Sequence, residues 1–301
     1  MIVKPPRLKQ GDAIGVIAPA GPVTPLEIQP GMELLRERGF VVIPAAHLYE
    51  RQGYLAGEDA LRLQDLHGML RNEEVKAIFC ARGGYGTLRL LKKIDFKLLR
   101  RRPKILAGYS DITALHLAAH KKTGLVAFHG PMVKDLTKNE NRNLNSLLDL
   151  VCSDRPVSLN LSEGSVLKPG RAAGKLLGGN LSLICHLVGT PFMPDLKGAI
   201  LFIEEKGEAL YRVDRMLTHL RLSGLLKGLS GFLAGEFEDC GEISSVNDLL
   251  MDVLSDVNIP VVSGLPFGHG EVNISLPIGL QAVLDTETLT LSLPEPCVSN
   301  V

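Results

Sequence analysis

The sequence predicts an α/β fold that opens on a parallel sheet, and three observations predict it. Residues 13–18 are apolar without alternation, the pattern of a strand covered on both faces. A helix over about 26–38, stopped by Gly39, leads to a second apolar run at 40–44, the strand, helix, strand order of parallel α/β units. Further apolar runs at 75–80 and after Lys104 repeat the alternation.

Each element has a local reason. Pro19-Ala20-Gly21-Pro22 lies at the carboxyl end of the first strand, where open α/β sheets bind ligands. Gly53-Tyr54-Leu55-Ala56-Gly57 precedes a helix with Ala60, Leu63, Leu66, Met69 and Leu70 on one face. The strand at 75–80 runs into Ala81-Arg82-Gly83-Gly84-Tyr85-Gly86, whose glycines let backbone N–H groups approach a ligand closely. That loop reads as a plain strand-to-helix turn, an oxyanion hole or a phosphate cradle. No Lys-Ser/Thr follows it and it lacks G-x-G-x-x-G spacing, so nucleotide binding is the weaker functional reading.

The next strand ends in Gly108-Tyr109-Ser110-Asp111, and the apolar spacing from Ile112 through Leu115 and Leu117 to Ala119 gives the following helix. Ser110 therefore sits on the corner, its hydroxyl reachable and next to the unpaired N–H groups of a helix start. An attacking serine needs both. The same tetrapeptide also suits a helix cap, and its spacing is not the G-x-S-x-G elbow of the common hydrolase fold. His116 and His120 run on with that helix. His129, at the edge of a strand over 126–131, is better placed to line a site, with a structural role equally open.

Between about 134 and 169 the pattern weakens around Asn139, Asn141, Asn143 and Asn145, with short apolar alternations near 157–161. The expected division is a first domain over 1–150, a linker over 151–170 and a second domain over 171–301. In the second, Asn180 is placed to cap a helix carrying Leu183, Ile184 and Leu187. A strand at 199–203 ends in Glu204-Glu205, which is either plain solvation of a strand exit or a working carboxylate. An amphipathic helix at 211–222, a strand near 229–237 and a helix at 246–255 follow. The strand from Val261 leads into Gly268-His269-Gly270, irregular backbone where core packing is a poor explanation for a histidine. Residues 280–284 and 289–293 flank Asp285-Thr286-Glu287-Thr288 as an antiparallel hairpin.

Composition narrows the function classes. Lys and Arg number 33 and Asp and Glu 33, so no concentrated field favours nucleic acid or a membrane surface. No stretch reaches the roughly 18 apolar residues of a membrane span, and the N-terminus lacks the apolar core of a signal peptide. A cytoplasmic protein is expected. The five cysteines are odd in number and form no C-x-x-C pair, which points to neither a disulfide framework nor a zinc knuckle. Neither metal nor cofactor is expected.

Seven motifs, in order from about residue 10 to 295, resemble the LD-carboxypeptidases, serine peptidases that include muramoyltetrapeptide carboxypeptidase and the microcin-immunity hydrolases. They are Ala18-Pro19-Ala20-Gly21-Pro22, Ala81-Arg82-Gly83-Gly84-Tyr85-Gly86, Gly108-Tyr109-Ser110-Asp111, Gly178-Gly179-Asn180-Leu181, Leu201-Phe202-Ile203-Glu204-Glu205, Tyr211-Arg212-Val213-Asp214-Arg215 and Gly268-His269-Gly270. The resemblance implies an N-terminal flavodoxin-like parallel α/β domain and a mixed, β-rich C-terminal domain with a small barrel-like sheet, the active site lying at their junction. It implies a triad with Ser110 as nucleophile, His269 as base and then acid, and Glu204 as the carboxylate that orients His269. The choice of Glu204 over Glu205 rests on motif register, because many relatives carry Glu-Asp there. It further implies an oxyanion hole from the backbone N–H groups of Gly84 and Asp111, and a pocket lined by Arg82, Tyr85 and Asn180. Arg82 is the natural partner of a terminal carboxylate.

The activity so implied is release of the terminal D-Ala from the muropeptide L-Ala-D-Glu-meso-diaminopimelate-D-Ala in peptidoglycan recycling, by a homodimer. Two other readings fit the same residues. One is hydrolysis of peptide-nucleotide antibiotics of the microcin type. The other is a non-catalytic protein that holds an anion or peptide on the 83–86 loop.

Overall fold

A computed structural model describes residues 2–300 of the chain. Strand β1 (Ala13–Ile17) is buried at every residue, as its unbroken apolar run requires. Helix α1 (Pro25–Glu37) starts on a Thr24/Glu27 capping box with Pro25 in its first turn, where a missing N–H costs nothing. It delivers the chain to β2 (Val41–Pro44), parallel to β1. The alternation continues through α2 (Asp59–Arg71), β3 (Val75–Cys80), the short α3 (Thr87–Leu90) and α4 (Phe96–Arg101) to β4 (Ile105–Gly108). Helix α5 (Thr113–Thr123) and β5 (Ala127–His129) complete a parallel run in the order β2-β1-β3-β4-β5.

Strand order reverses between β1 and β3, which opens a crevice at their carboxyl ends. The two loops that leave those ends meet there, with the Gly21 N–H donating to the Gly83 carbonyl at 2.9 Å. Ser110 follows β4, the next strand along.

After α6 (Arg142–Val151) the chain enters the second sheet. Its strands are β6 (Val157–Asn160), β7 (Ser165–Lys168), β8 (Arg171–Asn180), β9 (Ala199–Lys206), β10 (Gly231–Glu238), β11 (Val261–Ser263), β13 (Gln281–Asp285) and β14 (Thr290–Leu293), with β12 (Leu276–Ile278) belonging elsewhere. Their order is β6-β14-β13-β8-β9-β10-β11-β7. Strands β8 to β11 run parallel, carried by α7 (Leu181–Leu187), α8 (Leu210–Leu222) and α9 (Ile243–Val253), and the hairpin β13/β14 is antiparallel as its turn residues predict.

The stretch 151–170 corrects the sequence reading of a linker, since β6 and β7 within it form the two edges of this sheet. Only four residues join them. That connection reaches at most about 18 Å, whereas the edges of a flat eight-stranded sheet would lie about 34 Å apart. The sheet must therefore curl until its edges approach.

A second departure is β12. It lies in the second half of the sequence but pairs antiparallel with β5, Leu276 opposite His129 and Ile278 opposite Ala127, as the sixth strand of the first sheet. Among the described residues no helix is long and apolar enough to cross a membrane.

Candidate active site

Ser110 stands between β4 and α5 with φ 62°, a left-handed conformation that a non-glycine residue adopts only when its neighbours hold it there. Both neighbours are anchored. Tyr109 is buried and its hydroxyl donates to Asp135 Oδ2 at 3.1 Å. The Asp111 carboxylate turns away from the serine and accepts the Thr87 N–H at 2.8 Å, capping α3. A side chain at Gly83 would stand 3.1 Å from Ser110 Oγ, so only glycine lets that loop pass so close to the hydroxyl. The backbone N–H groups of Gly84 and Asp111 donate to no protein acceptor among the described residues. They remain available as a donor pair beside Ser110.

The sequence places His269 159 positions from Ser110, and the fold brings them together: Nε2 lies 3.0 Å from Ser110 Oγ. Its other nitrogen, Nδ1, lies 2.6 Å from Glu204 Oε2. The Tyr109 ring packs edgewise on the imidazole, centroids 4.9 Å apart. Gly268 has φ +121°, and a Cβ there would come within 2.9 Å of Glu204 Cβ. The flanking glycine that made His269 stand out in the sequence is thus explained by the approach of Glu204. The turn is also tied to the first half of the chain. The Gly268 N–H donates to Asn273 Oδ1 at 3.1 Å, and the Asn273 N–H donates to Asn143 Oδ1 of α6 at 2.8 Å.

Glu204 and Glu205 point to opposite sides, as successive residues of β9 must. Glu204 is wholly buried, and its Oε1 has no partner among the described residues. Burial pushes its pKa above the usual carboxylate value, against the opposing pull of His269. Glu205 instead serves the start of α7. Its Oε1 accepts from Asn180 Nδ2 at 2.9 Å and its Oε2 from the Ser182 N–H at 2.8 Å.

Asn180, expected both as a cap and in the pocket wall, accepts the Leu183 N–H and is almost fully buried. These contacts hold the side chain at the start of α7, next to Glu204 and Glu205. His129 takes the structural one of its two readings. It is fully buried among Tyr109, Phe202 and Phe267, neither ring nitrogen has a partner among the described residues, and burial drives its pKa well down. His116 is likewise buried, its pKa pushed to about 3, and His120 Nδ1 lies 3.0 Å from the Leu125 carbonyl oxygen. These three histidines pack the interior.

Arg82 and Tyr85 do open onto solvent, lining a cleft of about 600 Å³ together with Gly84. Arg82 Nη1 donates to the Pro22 carbonyl at 3.3 Å and lies 3.5 Å from Glu27 Oε1. Tyr85 meets Tyr54 edge to face at 5.7 Å. Arg51 and Tyr54 share that wall and were missed in the sequence. Only the turn-like Gly53-Tyr54 pair hinted at a loop there, and nothing in its spacing pointed to the crevice.

Chemically, a hydroxyl hydrogen-bonded to an imidazole that is itself held by a buried carboxylate can lose its proton as it attacks a carbonyl. Two free N–H groups beside it can receive the oxyanion.

Similar proteins have this architecture. Residues 14–130 match the LD-carboxypeptidase N-terminal domain and residues 173–284 the LD-carboxypeptidase C-terminal domain. A probable murein peptide carboxypeptidase of Bacillus subtilis is 42% identical, the alignment covering 95% of this chain and 93% of that protein. The crystal structure of muramoyltetrapeptide carboxypeptidase from Oxalobacter formigenes superposes with a TM-score of 0.82 at 34% identity, covering 93% of this chain and 97% of that one. That of an MccF-like protein from Bacillus anthracis gives 0.91 at 30% identity, over 97% and 99%. Matched in both halves, in order and nearly end to end, the chain belongs to the LD-carboxypeptidase family of serine peptidases.

Proposed function

We propose that this chain is a serine LD-carboxypeptidase that releases the terminal D-alanine of murein tetrapeptide in peptidoglycan recycling. The observation that carries the reading is the unbroken line Glu204, His269, Ser110, with contacts of 2.6 and 3.0 Å. Ser110 attacks the carbonyl before D-alanine while His269 Nε2 takes the hydroxyl proton, and Glu204 stabilises the resulting imidazolium. The oxyanion rests on the N–H groups of Gly84 and Asp111. His269 then returns the proton to the leaving amine of D-alanine, and water, deprotonated by the same imidazole, releases the acyl enzyme. Arg82 receives the terminal carboxylate of the substrate and Tyr85 flanks it.

The strand order β2-β1-β3-β4-β5 supports a flavodoxin-like first domain over 1–150. The curl of the second sheet supports a small barrel over 171–301, with the 151–170 stretch supplying its edges. The enzyme works as a homodimer in the cytoplasm, where its five free cysteines stay reduced.

Product analysis by mass spectrometry with tri-, tetra- and pentapeptide muropeptides tests the reading. D-alanine is expected from the tetrapeptide alone, and none with S110A. Normal turnover by S110A, or release from the pentapeptide instead, sinks it. A microcin-type peptide nucleotide assayed in parallel separates the sibling specificity, and any Ser110-dependent turnover rules out the binding-protein reading.

A further inference from the structure

His269 is flanked by two glycines, and the approach of Glu204 accounts for only the first. A Cβ at Gly270 would overlap the carboxylate of Glu236. A second acid therefore lies against the residue that follows the histidine. It comes from β10, the strand next to the one that carries Glu204.

Glu236 reaches that place through an irregularity in the sheet. Ala234 pairs with Ile203 and Phe237 with Glu205, so Gly235 and Glu236 together oppose Glu204 alone. An extra residue of this kind bends its strand and re-aims a side chain. The bulge is docked on the segment before His269. The Glu236 N–H donates to the Phe267 carbonyl at 3.0 Å, and the Leu265 N–H donates to the Ala234 carbonyl at 3.1 Å. A Cβ at Gly235 would overlap both the Phe267 ring and its carbonyl oxygen, so only glycine lets the two chains touch there. One residue thus holds the chain on both sides of His269, by its backbone before and by its carboxylate after. That carboxylate belongs to a half-buried residue, and its Oε2 is enclosed with no partner among the described residues. Burial and the nearby Glu238 raise its pKa above the usual carboxylate value, Glu204 and Glu271 add to the rise, and the Gly270 N–H opposes them. An oxygen enclosed at such a cost calls for a role.

We propose that Glu236 is a positioning residue for His269: seated on a bulge opposite Glu204, it holds the 268–270 turn so that Nε2 stays within reach of Ser110 Oγ. The role rests on the Ser110–His269 hydrolase reading above and deepens it. Glu236 acts through the turn and sets how well the imidazole is aligned, so it bears on kcat and little on KM. The bond-making steps remain with Ser110, His269 and Glu204.

Tetrapeptide kinetics, combined with the rate of Ser110 labelling by a fluorophosphonate probe, test this. E236A empties the space against Gly270 and should lower kcat about 10- to 100-fold, the cost of a misplacement on the order of 1 Å, with KM within about twofold. The labelling rate should fall by a similar factor. E236Q keeps the length and an oxygen facing Gly270, and should recover most of both losses. G270A, whose Cβ displaces the carboxylate, should resemble E236A, and the two together should cost no more than either alone. If E236A does not fold, E236D, which draws the carboxylate back by one methylene, takes its place in each comparison. A purely structural role would lower the melting temperature and leave the labelling rate of the folded protein unchanged, and that result overturns the proposal. So does E236Q as slow as E236A, or losses from E236A and G270A that multiply. D-alanine release is scored apart from labelling. Labelling that depends on Glu236 without D-alanine release overturns the carboxypeptidase reading and leaves the role of Glu236, whereas release with labelling indifferent to Glu236 does the reverse. A wild-type enzyme that takes no label overturns both.

Discussion

Replacing Glu204 by glutamine isolates the charge of the proposed third triad member from its shape. Glutamine has the same length, and its carbonyl oxygen can still accept from His269 Nδ1 across the 2.6 Å contact. Only the negative charge is lost. Because Glu204 is fully buried and its second oxygen has no protein partner among the described residues, that charge bears on His269 with little screening. When His269 holds the serine proton, the two charges are separated by about 4 Å. At an effective dielectric of about 20 their attraction is about 4 kcal/mol. Loss of it in the transition state should lower kcat about 10³-fold. KM should change little, because Glu204 does not touch substrate. The assay is D-alanine release at saturating tetrapeptide, with E205Q as the paired control. Glu205 accepts structural hydrogen bonds at the start of α7 and from the Lys206 N–H, so E205Q should keep kcat within a few-fold while losing about 1–3 kcal/mol of stability. An E204Q rate within tenfold of wild type, or an E205Q loss in kcat as deep as that of E204Q, would refute the assignment.

The same buried acid makes stability depend on pH. Burial raises its folded-state pKa above 4.5, so the native chain binds that proton more tightly than the unfolded chain does. The resulting stabilisation is full below about pH 4.5 and is lost as pH rises through the folded-state value. E204Q lacks this loss, so its melting temperature should gain on wild type between pH 4 and 8, and a constant difference in thermal melts would contradict the account. Alanine at Gly268 must accommodate φ +121° and a Cβ 2.9 Å from Glu204, which should cost about 1–3 kcal/mol and more than a hundredfold in kcat. Unchanged turnover by a folded G268A would show that the turn is not under that constraint. Glycine at Ser110 removes the left-handed penalty at φ 62° and should stabilise the fold by about 0.5–1 kcal/mol while abolishing turnover. A lower unfolding midpoint in urea would count against strain at that corner.

The elements legible in the sequence were those whose pattern is local. The apolar runs gave β1, β3 and β4, and the Asp285 to Thr288 turn gave the last hairpin. The corner at Ser110 was visible because a strand pattern meets a helix pattern there. Whether it was a nucleophile or a cap was not, because that depends on His269, 159 positions away. Asn180 shows the converse. Its capping role was local and readable, whereas its bond to Glu205 comes from pairing β8 with β9. Strand β6 left a trace in the alternation near 157–161, but β7 and β12 are four and three residues long and owe their existence to partners far along the chain, so no periodicity announces them. His129 stayed open between two readings for a related reason. A histidine at a strand edge reads as a site residue until Tyr109, Phe202 and Phe267 are seen around it.

The return of β12 to the first sheet also sets an order of events at the ribosome. A nascent chain that has emerged only as far as residue 150 carries Ser110, yet the edge of β5 stays unpaired until Leu276 to Ile278 arrive. By then Glu204 and His269 have been made as well. Synthesis thus delivers the partners of the nucleophile before the sheet beneath it is sealed, and the hydrolase becomes competent only when nearly all of its chain is out.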